Sequence, residues 1–306
     1  MMRTLAQSAV ALLGFAVASS AAVAQTQIDL NDPIAVFLAN RKQTCTLKEG
    51  TPVLHWWTGK MYGRRAGEKD RHLFNIQGMN VRQCKFFDDP KRGPGYRSVS
   101  REIMLHLDPV TNAVMKTWKN PWTGEEVEVM NVANDPVSMR APNYARDENG
   151  KPTATFRYTR HGEYFLSGGG AARLFYKNPL AGEYQEYVGG DYHAMEFGTD
   201  ALRVDQVLDP KAEITDAVIS WGRVSKWLPW MKMGDKDGVV IYHTAGIRAV
   251  KGYSEIPEPM ASELKTTYAL YQAPPPIDDA RPNETTWTVV KKAVDAKRER
   301  EKKPGS

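Results

Sequence analysis

The chain has 306 residues, with 41 Lys and Arg against 36 Asp and Glu, and is 42% hydrophobic with 8 Trp, 13 Tyr and 9 Phe. That apolar and aromatic content excludes a disordered chain, and the length suits one large β domain or two small ones. The net charge of +5 does not make a nucleic-acid binder: residues 291–303 hold 7 basic against 3 acidic side chains, and residues 25–290 hold 33 of each sign, so no domain-wide basic field follows a phosphate backbone.

Residues 1–24 read as an export signal. Met1-Met2-Arg3 supplies the positive start, residues 5–23 the apolar middle, and Ala22-Val23-Ala24 a small-residue cleavage site before Gln25. Gln7, Ser8, Gly14, Ser19 and Ser20 dilute the apolar run below what a membrane anchor needs. The mature chain is therefore expected to be periplasmic or secreted, with no transmembrane segment after signal cleavage.

Residues 25–50 form an N-terminal lead-in. Asn31-Asp32-Pro33 provides a cap and a first-turn proline for a short helix over 34–40. Cys45 and Cys84 are the two cysteines of the chain, and in an oxidising compartment the pair points to a disulfide, with two buried thiols as the alternative.

From 51 to 272 the chain changes character. Segments 53–63, 73–87, 98–107, 126–132, 153–166, 173–177, 184–188, 192–198, 202–208, 217–227, 239–247 and 264–271 are rich in Val, Ile, Tyr, Trp and Thr and bounded by Gly, Pro, Asn or Asp. They read as strands, and Asp108-Pro109, Thr123-Gly124, Asn149-Gly150 and Asp237-Gly238 read as hairpin turns. The fold class is all-β and mainly antiparallel: a single large curled sheet or lipocalin-like barrel with a short N-terminal helix and a C-terminal helix. Residues 273–287, with Pro274-Pro275-Pro276, read as a stiff linker, and 288–306 as an exposed basic helix or tail.

Nucleophile-elbow, zinc and phosphate-loop signatures are missing, and no metal or cofactor is implied. Parity along the strands gives the candidates instead. His193 alternates with Met195 and Phe197, His243 with Val239, Ile241 and Ala245, and Trp221 and Arg223 with Ile219. These four are expected to line an interior cavity, joined by Tyr158 and by His55 with Trp57. Each taken singly fits an ordinary core role, a His bonded to a carbonyl or an Arg paired with Glu102 or Glu196. Two Trp-Pro-Gly loops, 118–124 with Trp118 and Trp122, and 227–234 with Trp230, are expected to close a barrel mouth or to plug it for stability.

The stretches Asn120-Pro-Trp-Thr-Gly124, Val132-Ala-Asn-Asp-Pro-Val137, Trp227-Leu-Pro-Trp-Met-Lys-Met-Gly234 and Gly78-Met-Asn-Val-Arg82 resemble a bacterial secreted family catalogued as domain-of-unknown-function family 1838. The resemblance covers roughly 51–274. It implies a β-rich single domain and brings no activity and no catalytic residue.

The leading functional expectation is an exported barrel holding an apolar or aromatic small molecule. The alternative is a cofactor-independent lyase, hydratase or isomerase using His193 or His243 as general base and Arg223 as anion stabiliser. A third is an envelope structural or interaction protein whose basic tail meets anionic lipid or a partner. No feature of the sequence specifies an oligomeric state.

Overall fold

The structure is a computed structural model that describes residues 27–167, 169–180 and 191–302. The export signal and the strand expected over 184–188 lie outside the described residues. Helix α1 spans Pro33–Thr44. It starts where the sequence reading places it because the Asp32 carboxylate accepts a 3.0 Å bond from the Ile34 N–H, and Pro33 occupies a first-turn position whose N–H needs no partner.

Strands β1 (Val53–Arg64), β2 (Arg71–Asp89) and β3 (Gly93–Leu107) follow as long meandering neighbours. A small separate hairpin, β4 (Thr117–Lys119) with β5 (Glu126–Glu128), precedes β6 (Val132–Asn134) and β7 (Asn143–Tyr144). Next come β8 (Tyr158–His161), β9 (Tyr164–Ser167), β10 (Gly170–Tyr176), β11 (Tyr192–Arg203), helix α2 (Val204–Leu208), β12 (Ala217–Ser225) and β13 (Val239–Arg248). Helices α3 (Met260–Lys265) and α4 (Thr286–Lys302) complete the order.

Eleven strands make one antiparallel sheet in the order β6-β3-β2-β1-β13-β12-β11-β9-β8, with β10 added beside β11 and β7 beside β3. The sheet is curled but open. Its outer face over β1–β3 is covered by the chain after β13: Leu54, Met79, Val81, Ile103 and Leu105 pack on Ile256, Met260, Leu264 and Tyr271.

The concave face is closed at both ends. At one end the β4–β5 hairpin, the turn at Pro229–Met231 and α4 pack Trp118, Trp227, Trp230, Met231 and Trp287 onto Phe74, Met61 and Tyr242. At the other end α1 sits on Cys84, Tyr96, Leu202 and Phe165. The disulfide Cys45–Cys84 ties the end of α1 to β2, and the Arg248 guanidinium donates to the carbonyls of Lys42 and Cys45 at the same helix end.

Four expectations need correcting. Residues 204–208 are helix α2, not strand, because Val204, Val207 and Leu208 recur at helical spacing and all three are buried. Residues 264–271 form the end of α3 and a short turn rather than a strand. Residues 273–287 are not a free linker: Gln83 Nε2 donates to the Pro275 carbonyl at 2.6 Å, Arg101 to that of Ala273 at 2.8 Å, and Arg281 bridges Asp135 and Asp279. Helix α4 is docked rather than exposed, since Trp287, Val290 and Val294 are buried.

That docking also spans the open side of the sheet. Glu284 N–H bonds to the Pro136 carbonyl at 2.9 Å beside β6. The Trp287 ring lies 4.8 Å from that of Tyr192 on β11, and Thr285 bonds Tyr176 on β10.

Candidate functional site

Cross-strand partners share a face of the sheet, so the register shows what lies between the two closed ends of the concave face. One row runs Arg248, His55, Asn80, Glu102, Asn134 across β13, β1, β2, β3 and β6. The next runs Gly246, Trp57, Gly78, Met104, Val132 over the same strands. On the other wall Tyr242 faces Arg223 and Arg223 faces Glu196, while Thr244 faces Trp221.

The two walls approach each other. In a flat sheet β3 and β12, with three strands between them, would stand about 19 Å apart, yet the charges of Arg223 on β12 and Glu196 on β11 act on the Glu102 carboxyl. His55, Trp57, Arg82, Glu102, Glu196, Trp221 and Arg223 are all half-buried, while burial is the largest influence on the ionisation of His55, Arg82 and Glu102. These half-buried side chains stand on facing walls of the curled sheet, and the space they border between the two closed ends is termed the hollow.

Aromatic rings make one side of it. The Trp57 and Trp221 centroids are 6.2 Å apart and those of Trp221 and Tyr242 are 5.4 Å apart. The Trp57 indole fits because Gly78 has no side chain: a Cβ there would stand 2.1 Å from Cε2 and 2.2 Å from Nε1 of that ring.

Polar groups make the other side, and several lack partners. Among the described residues, the buried His55 Nδ1, Trp57 Nε1, Asn134 Oδ1 and Arg223 Nε have none. The Glu102 carboxylate has a 3.5 Å contact with Asn134 Nδ2, at the outer limit for a hydrogen bond. Arg82 Nε donates to Asn80 Oδ1 at 2.8 Å, and Arg223 pairs with Glu196 at 3.3 Å and donates to the Tyr192 hydroxyl.

The electrostatics follow from these neighbours. Burial raises the Glu102 carboxyl above the usual carboxylate range, Arg223 lowers it, Glu196 raises it further, and Arg82 and Asn134 pull it down. Burial, with the Arg82 and Arg248 charges, holds His55 well below 6.5, so its imidazole is neutral at neutral pH. Burial works against the Arg223 charge, but Tyr192, Tyr242 and Glu196 outweigh it and keep the guanidinium charged.

The sequence candidates divide. Trp221, Arg223, His55 and Trp57 come together in the hollow. His193 and His243 do not: both are exposed on the opposite, outer face of β11 and β13, where His193 packs edge-on against Phe175 at 4.6 Å. The reason is that the outer face of this part of the sheet is itself apolar, with Phe197 on β11 45% and Val218 on β12 55% exposed, so alternation marked two faces without marking the inner one.

Trp118, Trp122 and Trp230 are in the aromatic plug. Trp230 lies 6.1 Å from Trp118 and 5.3 Å from His106, and Trp122 lies 4.8 Å from Trp227. His106 is fully buried there and its pKa falls to about 4 through burial. Tyr158 stands apart, donating to Gln43 Oε1 at an open cleft of about 300 Å³ between α1 and residues 143–158. Tyr96 on β3 lines that cleft.

Sequence reasoning missed Asn80, Arg82 and Asn134 and gave Glu102 only a pairing role. The parity signal for Glu102 exists, since it shares a face with Met104 and His106, but both faces of β3 are buried and the alternation is masked. Among the described residues no group of His, Cys, Asp and Glu could hold a metal ion, and no helix is long and apolar enough to cross a membrane.

No curated protein matches the chain. The family described as "Protein of unknown function (DUF1838)" matches residues 50–294, from the start of the sheet to Val294, the last buried residue of α4, and the chain belongs to that family.

Proposed function

We propose that the protein encloses a small molecule with an aromatic or apolar body in the hollow of the curled sheet, and that it does so outside the cytoplasm. The observation that carries this is the set of buried polar atoms without partners, His55 Nδ1, Trp57 Nε1, Asn134 Oδ1 and Arg223 Nε, in one hollow beside the Trp57–Trp221–Tyr242 wall. Each buried polar atom left unpaired costs about 1–3 kcal/mol. A ligand with an aromatic body and one or two oxygen substituents satisfies both the wall and those atoms.

Thermal shift and tryptophan fluorescence against a panel of aryl acids, aryl ketones, phenols and terpenoids test the reading. A ligand at 100 times its Kd stabilises by about 2.7 kcal/mol, which moves the Tm of a domain this size by about 5–11 °C. A panel in which no compound moves Tm by 1 °C removes the reading.

The export half rests on the signal pattern in residues 1–24 and on the Cys45–Cys84 bridge, which persists in oxidising compartments. N-terminal sequencing of the protein recovered from a periplasmic or culture fraction should begin at Gln25, and recovery of the full-length chain in the cytoplasm refutes it. A cofactor-free enzyme would use the same hollow.

A further inference from the structure

We propose that the hollow is a proton-transfer centre in which Glu102 removes a proton from the carbon next to a carbonyl group of an aryl-substituted substrate, while Trp57 and Arg223 hold the oxygen. It rests on the ligand-binding reading above and names the chemistry of that site.

The groups left uncommitted in the hollow decide the reaction class. Three of its hydroxyls are engaged with the backbone or with another side chain: Ser100 Oγ donates to the Val137 carbonyl, Thr244 Oγ1 to that of Trp221 at 2.7 Å, and the Tyr192 hydroxyl accepts from Arg223. Both cysteines are in the disulfide. None of these side chains is an activated nucleophile for covalent catalysis. What remains is a carboxyl without a close ion pair, two N–H donors without acceptors at Trp57 Nε1 and Arg223 Nε, and the neutral imidazole of His55. A carboxyl on the same concave face as unoccupied donors is the combination of groups that enolisation uses.

The step balances without a co-reactant. The C–H bond breaks, the proton goes to a Glu102 oxygen, the electron pair forms the carbon–carbon double bond, and the carbonyl π pair moves to oxygen as an enolate. Trp57 Nε1–H and the Arg223 guanidinium donate to that oxygen. The Glu102 carboxylic acid then returns the proton to the same carbon, or to the γ carbon where the system is conjugated.

Position and environment support the role of Glu102. It lies on β3 one residue pair from the strip where Trp57 crosses Gly78 toward Met104. The charged groups that face it are Arg82 from β2, Arg223 from β12 and Glu196 from β11, with the Asn134 amide from β6. Their balance with burial leaves its carboxyl raised, hence a stronger base than an exposed carboxylate.

The test uses the full mature chain in deuterated water with two probes, phenylpyruvate and 4-phenyl-2-butanone. Proton NMR follows loss of the protons next to the carbonyl, and fluorescence quenching reports binding separately. The wild-type chain should exchange at least one probe about 100-fold or more above buffer. Glu102→Gln should lose that acceleration while keeping its quenching Kd within threefold, and Trp57→Phe should slow exchange with its ligand-induced melting shift intact. His243→Ala, on the outer face, should change nothing. Exchange by Glu102→Gln at the wild-type rate, or quenching of the wild type without exchange, overturns the catalytic assignment and leaves the binding reading standing. Failure of both probes to quench removes the aryl-ligand reading itself.

Discussion

The docking of α4 is the feature most open to a direct stability test. Trp287 is 2% exposed, its ring is 4.8 Å from that of Tyr192, and Val290 and Val294 continue the buried stripe. A buried Trp removes about 200 Å² from water, worth about 5 kcal/mol as an upper figure, and Trp→Ala in a core costs about 3–5 kcal/mol. For a domain of this size each kcal/mol moves Tm by about 2–4 °C, so Trp287→Ala should lower Tm by about 6–20 °C in calorimetry of the mature chain. Truncation of residues 299–306 leaves Trp287, Val290 and Val294 in place and should lower Tm by less than about 2 °C. A fall under about 2 °C for Trp287→Ala would show that α4 is the exposed tail its charge pattern suggests, and that nothing spans the open side of the sheet.

Gly78→Ala places a Cβ 2.1 Å from the Trp57 ring, so the indole must move into the hollow. We expect a loss of about 1–3 kcal/mol with a shifted tryptophan emission and no ligand-induced melting shift, and retained ligand response would contradict the placement of Trp57. Burial raises the Glu102 pKa above its unfolded value of about 4.3. The folded chain thus holds that proton more tightly, and the stability it adds is present below about pH 4 and lost as pH rises through the folded pKa. Glu102→Gln should then melt above the wild type at pH 7 and level with it at pH 4; a lower Tm at pH 7 refutes this. His55 has the opposite sign, because its folded pKa is depressed: its contribution is present above about pH 6.5 and lost as pH falls below it, a slope that His55→Gln should remove from the Tm profile. The disulfide closes a separation of 39 residues, worth about 4 kcal/mol by loop entropy, so the double substitution of Cys45 and Cys84 by Ala should lower Tm by about 8–16 °C, and an unchanged Tm would mean the bridge adds nothing.

Much of the fold was legible because local chemistry and tertiary structure agree. Asp32-Pro33 started α1 where the cap dictates, and the long strands of the first meander and of β12 and β13 follow runs of β-branched and aromatic residues bounded by turn residues. The misreadings have separate causes. Residues 204–208 carry a helical spacing that β-rich composition concealed, and the Pro-rich stretch 273–287 gave no sign in its own sequence that Gln83, Arg97 and Arg101 would hold its carbonyls. The site was half legible. Parity found Trp221, Arg223, His55 and Trp57, but His193 and His243 share the same alternation on the far side, where β10–β12 expose Phe175, Phe197, Val218 and Val224. Period 2 separates two faces and is silent on which one curls inward.

The arrangement of the concave face bears on function through its energetics. The aromatic plug and the α1 contacts close both ends with apolar side chains, and the same filling would have served stability in the middle. Instead the middle holds Arg82, Glu102, Glu196 and Arg223, half-buried and incompletely paired. Apolar groups of similar volume in place of buried charges are often neutral or stabilising by about 1–4 kcal/mol. The charges therefore do not account for themselves as structure, whereas Gly78 has given up a side chain to let Trp57 lie among them. Incompletely paired charges held between two packed ends are the arrangement by which a site is preorganised for charge that arrives with, or develops on, a ligand. That arrangement supports the proposed ligand site in the hollow, while the first half of the basic helix is committed to packing against β11 and the plug.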